Sequence, residues 1–172
     1  MYTHKKENMT ILVKNKHTLQ IDEFKFRCCI GKKGSTMNKK EGDKKTPKGI
    51  FEIEHLYFRK DRKQKPLTLL NCIEIKKNMG WCDDPRFPKK YNKLFKIKNK
   101  IKHEKLKRHD YKYDYIIPIK YNFKKPITSK GSCIFIHLTK NYKPTLGCIA
   151  LKEKDFLIMT KLIKKNSKIK IL

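Results

Sequence analysis

Apolar and polar residues along this chain fall into short runs separated by turn-forming residues, and that spacing predicts strands first. The runs Thr10–Val13, Phe24–Ile30, Gly49–Tyr57, Tyr113–Tyr121, Ser132–Leu138 and Gly147–Leu151 are rich in β-branched and aromatic residues. Few are long enough to form a helix. Gly31–Gly49 holds four glycines and Pro47, which predicts a turn-rich connection or hairpin whose backbone visits positive φ. Lys89–Lys107 is the least sheet-like part of the middle. One helix is predicted from Glu153 to about Lys164, where Phe156, Met159, Leu162 and Ile163 recur at three- and four-residue spacing. Glu153 and Asp155 in its first turn and Lys161, Lys164 and Lys165 in its last suit the helix dipole. A terminal strand, Ile169–Leu172, follows. No repeat and no linker divides the chain, so residues 1–172 read as one mainly β domain with one C-terminal amphipathic helix.

Composition changes this picture in two ways. The 172 residues include 45 Lys and Arg against 16 Asp and Glu, a formal charge of +29. Such a charge sets up a field that attracts nucleic acid, anionic wall polymer or acidic membrane surface. Most of the basic residues are scattered lysines rather than arginine forks, and no nucleic-acid motif is visible. The charge therefore reads as solvated surface, and no nucleic-acid partner is expected. Six cysteines suggest disulfides, yet a domain of this size does not need them, and no CxxC pair marks a zinc ribbon. Asp83 and Asp84 lack further ligands nearby, so neither a metal nor a cofactor is expected. Met1 to Thr10 is polar, without the apolar centre of an export signal, and no run approaches the roughly 20 apolar residues of a membrane span.

Candidate chemistry lies near the C-terminus. Alternation along Gly131-Ser132-Cys133-Ile134-Phe135-Ile136-His137-Leu138 puts Cys133, Phe135 and His137 on one face. Eleven positions after His137 comes Cys148, within Thr145-Leu146-Gly147-Cys148-Ile149-Ala150-Leu151. The spacing predicts a β-hairpin that returns Cys148 to His137. A thiolate is the nucleophile, and a neighbouring imidazole can take the thiol proton. Gly147 would let the backbone approach a substrate, and N–H groups around Cys148 could receive an oxyanion.

These residues resemble the catalytic motif of YkuD-type L,D-transpeptidases, a His followed after a loop by Ser/Thr-x-Gly-Cys, here His137, Thr145, Gly147 and Cys148. Gly42-Asp43-Lys44-Lys45-Thr46-Pro47-Lys48-Gly49-Ile50-Phe51 is similar to a second family block, and Gly80-Trp81-Cys82-Asp83-Asp84-Pro85 with Tyr91-Asn92 to a third. The third block belongs to a shorter, single-domain branch. Leu146 stands where many members have His, and Ala150 where many have Arg. The resemblance implies a YkuD-like β-sandwich and a reaction on peptidoglycan. Cys148 would attack a donor tetrapeptide stem, His137 would serve as base, and an acceptor amine or water would take the acyl group. Gly147, Thr145, Trp81 and His103 become candidate oxyanion or substrate contacts, although a Trp after Gly can equally anchor a core. The substrate implies the periplasm or cell envelope, and a monomer is expected.

Overall fold

Alternation sets the strands, as the computed structural model shows for residues 10–98 and 100–172. The polar leader before Thr10 lies outside the described residues. In β1 (Thr10–Val13), Ile11 and Val13 are buried, as are Leu19 and Ile21 in β2 (Thr18–Ile21) and Phe26 and Cys28 in β3 (Phe24–Cys29). Two short strands follow, β4 (Ser35–Thr36) and β5 (Thr46–Pro47), and then β6 (Gly49–Glu52), β7 (Leu56–Phe58) and β8 (Cys72–Glu74). After these come β9 (Met79–Cys82), β10 (Leu94–Lys96), β11 (His103–Lys105), β12 (Tyr115–Pro118), β13 (Phe135–Leu138) and β14 (Ile149–Leu151). The chain ends with α1 (Glu153–Leu162) and β15 (Lys168–Ile171), in which Ile169 and Ile171 point inward while Lys168 and Lys170 stay exposed. Lysine-rich strands are compatible with a core because period two sends their charges to solvent.

Ten strands form one sheet in the order β6-β15-β1-β2-β3-β14-β13-β12-β7-β8. The sheet curls until Ile53, just past β6, bridges Ile119, just past β12. Inside lies an apolar core that includes Ile11, Leu19, Leu56, Ile117, Ile136 and Ile149, with Phe156 and Met159 of α1 packed on it. A separate three-stranded sheet, β10-β9-β11, stacks beside it. Its Trp81 joins a second cluster with Tyr57, Leu106, Tyr113 and Phe135. The fold is thus mainly β with one late helix.

Three sequence expectations change. Gly49–Tyr57 is two strands, because the chain leaves β15 at Ile53 to bridge Ile119. Lys89–Lys107 is not strand-poor: it carries β10 and β11, both paired with β9. The largest correction concerns β13 and β14, which form no hairpin but run parallel. Their link passes by way of Thr145, which bridges Gly31 and exchanges backbone hydrogen bonds with Ile30 and Lys32. That detour turns the chain so that β14 enters antiparallel to β3 and parallel to β13.

Candidate active site

Parallel pairing still brings the expected pair together. Ile136 lies beside Ile149 and His137 beside Ala150. Extended back by one residue, this register sets Cys148 beside Phe135, so Cys148 and His137 are diagonal neighbours on one face. The Phe135 N–H donates to Cys148 Sγ at 3.4 Å, and the thiol donates to the Cys133 carbonyl at 3.2 Å. Cys133 has left the strand, with φ at 55°, so alternation does not extend back to it.

His137 is buried, with 8% of its surface exposed, and its Nδ1 lies 2.9 Å from the Leu138 carbonyl oxygen. A carbonyl only accepts, so Nδ1 carries the proton and Nε2 keeps its lone pair. The ring meets Tyr113 edge-on, with centroids 5.6 Å apart. Among the described residues no hydrogen bond joins the imidazole to the thiol. Burial pushes the Cys148 thiol up to about 12, against the Phe135 N–H and helped by the Glu104 carboxylate. Burial also pulls His137 down to about 4 against the Leu138 carbonyl, and Lys112 and Arg108 add to that shift. At neutral pH both groups are therefore uncharged, so the structure does not show the activated thiolate that a Cys–His pair suggests.

The turn before Cys148 is braced locally. Thr145 Oγ1 donates to the Cys148 carbonyl at 2.6 Å and accepts the Gly147 N–H at 3.1 Å. Thr145 thus shapes the turn that leads into Cys148, and the Gly147 N–H is already engaged. Gly147 sits at φ +149°, where a Cβ would come within 3.0 Å of the Lys45 carbonyl oxygen. The Gly-Asp-x-x-Thr-Pro block lies behind this approach. Thr46 Oγ1 accepts the Gly31 N–H and donates to the Gly147 carbonyl at 2.8 Å. Asp43 accepts N–H groups of Lys40 and Lys45 and the Lys39 ammonium, which hold its carboxyl below the usual range.

The other two candidates lie elsewhere. Trp81 is 2% exposed, packs on Phe135 at 5.2 Å and donates its indole N–H to Asn92 Oδ1 at 3.0 Å. It is a core anchor beneath the site. His103 stacks against Phe95, lies over Gly80 and places its Nδ1 against the Ile101 carbonyl. Alternation sends the next residue, Glu104, to the opposite face, where it pairs with Arg108 at 3.1 Å near Tyr113. The sequence offered the His103-Glu104 pair without telling which member faces the β13–β14 pair, and it did not point to Arg108 or Tyr113, whose only signal is an aromatic and a charge in a lysine-rich stretch. Asn92 ties the site floor together, with Oδ1 accepting the Cys133 N–H and Nδ2 donating to the Tyr121 and Asn122 carbonyls. All six cysteines are free, and no group of three or more metal-ligating side chains exists among the described residues.

The chain is a curled, mainly β domain that sets a Cys and a His on one face of a parallel strand pair. The family model for the L,D-transpeptidase catalytic domain, YkuD, matches residues 2–171, and the chain belongs to that family. A solved structure of Bdellovibrio bacteriovorus Bd1075 is similar in fold, with a TM-score of 0.51 and 16% identity over 96% of this chain. The chain spans 48% of that structure's chain. No curated protein matches. No helix among the described residues is long and apolar enough to cross a membrane.

Proposed function

We propose that this domain remodels peptidoglycan stem peptides through an acyl-enzyme on Cys148, with His137 as the base. The observation that carries the reading is the shared face of the β13–β14 pair. It sets Cys148 diagonal to an imidazole whose Nδ1 is locked on Leu138, leaving Nε2 as the proton acceptor. Because both groups are neutral in the free protein, proton transfer accompanies substrate approach instead of preceding it. Sγ attacks the carbonyl of the dibasic third residue of a donor tetrapeptide, and its proton passes to Nε2. The amide C–N bond breaks as that proton moves to the departing D-alanine amine, leaving a thioester. An amine of a second stem then attacks, re-forming the thiol and giving a cross-link. With the Gly147 N–H held by Thr145, the Cys148 N–H is the donor left for the oxyanion. No cofactor enters, the working form is a monomer, and the substrate puts the reaction in the periplasm or cell envelope.

The test is incubation with purified tetrapeptide muropeptides and mass analysis of the products, with Cys148→Ala as control. Cross-linked dimers support transpeptidation, and tripeptides indicate trimming by water, a carboxypeptidase activity of the same site. Identical mixtures from wild type and Cys148→Ala would overturn the reading and leave a basic polyanion-binding protein as the alternative.

A further inference from the structure

Ala150 lies directly beside His137 in the β13–β14 register, so the side chain at position 150 is a neighbour of the imidazole. Here that neighbour is a methyl group. A guanidinium from another element lies one ring away from the same imidazole. The loop from Leu106 to Asp114 carries Arg108, whose Cζ sits 5.0 Å from the centroid of the Tyr113 ring. Tyr113 in turn meets the His137 ring.

The loop is held in place to a degree that a surface connection does not require. Arg59, 3% exposed, donates to the Arg108 carbonyl while Asp61 grips its guanidinium from the other side. Arg62 donates to the His109 and Asp110 carbonyls, each at 2.9 Å, and pairs with Asp114. The Leu138 N–H donates to the Lys112 carbonyl, tying the loop to the catalytic strand. Arg108 itself is fixed by a two-point contact with Asp110, at 2.9 and 2.7 Å, and by Glu104 at 3.1 Å. Such fork contacts fix direction as well as charge.

We propose that Arg108, seated on the Tyr113 ring that meets His137, is a positioning residue for the catalytic base. Its stack holds Tyr113 against the imidazole, and its charge disfavours the imidazolium. The charged groups facing His137 are Lys112 and Arg108, which disfavour the cation, and Asp110, which favours it, with the Cys148 thiol on β14. Glu104 faces the far side of Tyr113 and the thiol. Removing Arg108 therefore leaves only Lys112 to oppose Asp110, while removing the Asp110 charge shifts the balance the other way.

The inference rests on His137 acting as base, and its test is independent of turnover. His137 is followed by NMR in histidine-labelled protein, its signal assigned by its loss in His137→Gln. In Arg108→Gln the titration midpoint should rise by about 1 pH unit, and in Asp110→Asn it should fall. An unchanged midpoint in folded Arg108→Gln would overturn the proposal, as would shifts of equal sign in both variants. If Arg108→Gln does not fold, the downward shift in Asp110→Asn decides. A wild type without muropeptide turnover would instead sink the proposed function and leave this test standing.

Discussion

The two faces of the β13–β14 pair are built from alternate residues of the same strands and obey opposite rules. Ile136, Leu138, Ile149 and Leu151 face the enclosed core, each 5% exposed or less, and join the cluster that α1 covers. Phe135, His137 and Cys148 face the aromatic cluster around Trp81 and Tyr113. On the first face burial gains free energy from every side chain. On the second it acts against two ionisable groups and keeps both neutral. Rigidity comes from one face, and the other uses that rigidity to hold a thiol and an imidazole in water-poor surroundings that neither would choose alone.

The sharpest way to break this comparison is to mutate neighbours in sequence that face opposite ways. Cys148→Ala should lower turnover on muropeptides by about 10⁴-fold or more, with little change in unfolding free energy. Ile149→Ala, one residue on, should cost about 2 to 5 kcal/mol on denaturant unfolding, because it opens a cavity in the closed core. If Ile149→Ala were harmless and Cys148→Ala unfolded the domain, the assignment of faces would be wrong.

A second effect should appear as a pH dependence of stability. His137 titrates at about 4 in the folded state and near 6.5 unfolded. Between these values the unfolded chain binds a proton that the native state refuses, so stability falls as pH drops from about 6.5 to 4. The loss is about 3 kcal/mol. At the alkaline end Cys148 works the other way, since the unfolded thiol ionises near 8.5 and the native one at about 12, so stability falls as pH rises through that window. Unfolding curves of wild type and His137→Gln, compared at pH 7 and pH 4.5, should differ in their pH dependence. Parallel curves would show that the imidazole is not buried neutral.

A smaller effect tests the hinge between faces. Thr46 joins the Gly31 N–H to the Gly147 carbonyl, so Thr46→Val leaves one buried donor and one acceptor unpaired. The expected cost is about 1 to 3 kcal/mol. Turnover should fall further than stability predicts, since the nucleophile turn loses its backing. A stability loss with wild-type kcat would mean the block is only structural.

What the sequence made legible was local. The turn into Cys148 is specified within four residues, by the Thr145 hydroxyl and the Gly147 conformation, and such a unit survives any error about strands. The α1 helix was equally plain because Phe156 and Met159 fix its buried face. The direction of β14 was not legible, since the link after His137 reads the same for a hairpin and for a parallel return, and the choice depends on Thr145 meeting Ile30 and Gly31 far upstream. The small sheet stayed hidden because β10 and β11 hold few apolar residues among many lysines. His103 and Glu104 were not separable in the sequence, because period two sends neighbours to opposite faces and the register that decides which face is which is set by β9.

The smallest expected effect lies on the outer side of the core face and bounds how far the two faces communicate. Lys63 Nζ contacts both carboxylate oxygens of Glu153, at 2.6 and 2.7 Å, and so ties the start of α1 to the turn after β7. Both side chains are partly in water, at 26% and 41% exposure, so solvent and salt screen the pair. Glu153 also lies in the first helical turn, where its charge favours the helix without Lys63. Lys63→Ala should therefore cost less than about 1 kcal/mol, and less still at high salt. Because Phe156 and Met159 of α1 pack on the core face, the same change should leave muropeptide turnover and the His137 titration midpoint where they are. A Lys63→Ala protein with altered turnover would show that the helix speaks to the site through β13, and the division between a structural face and a chemical face would fail at that strand.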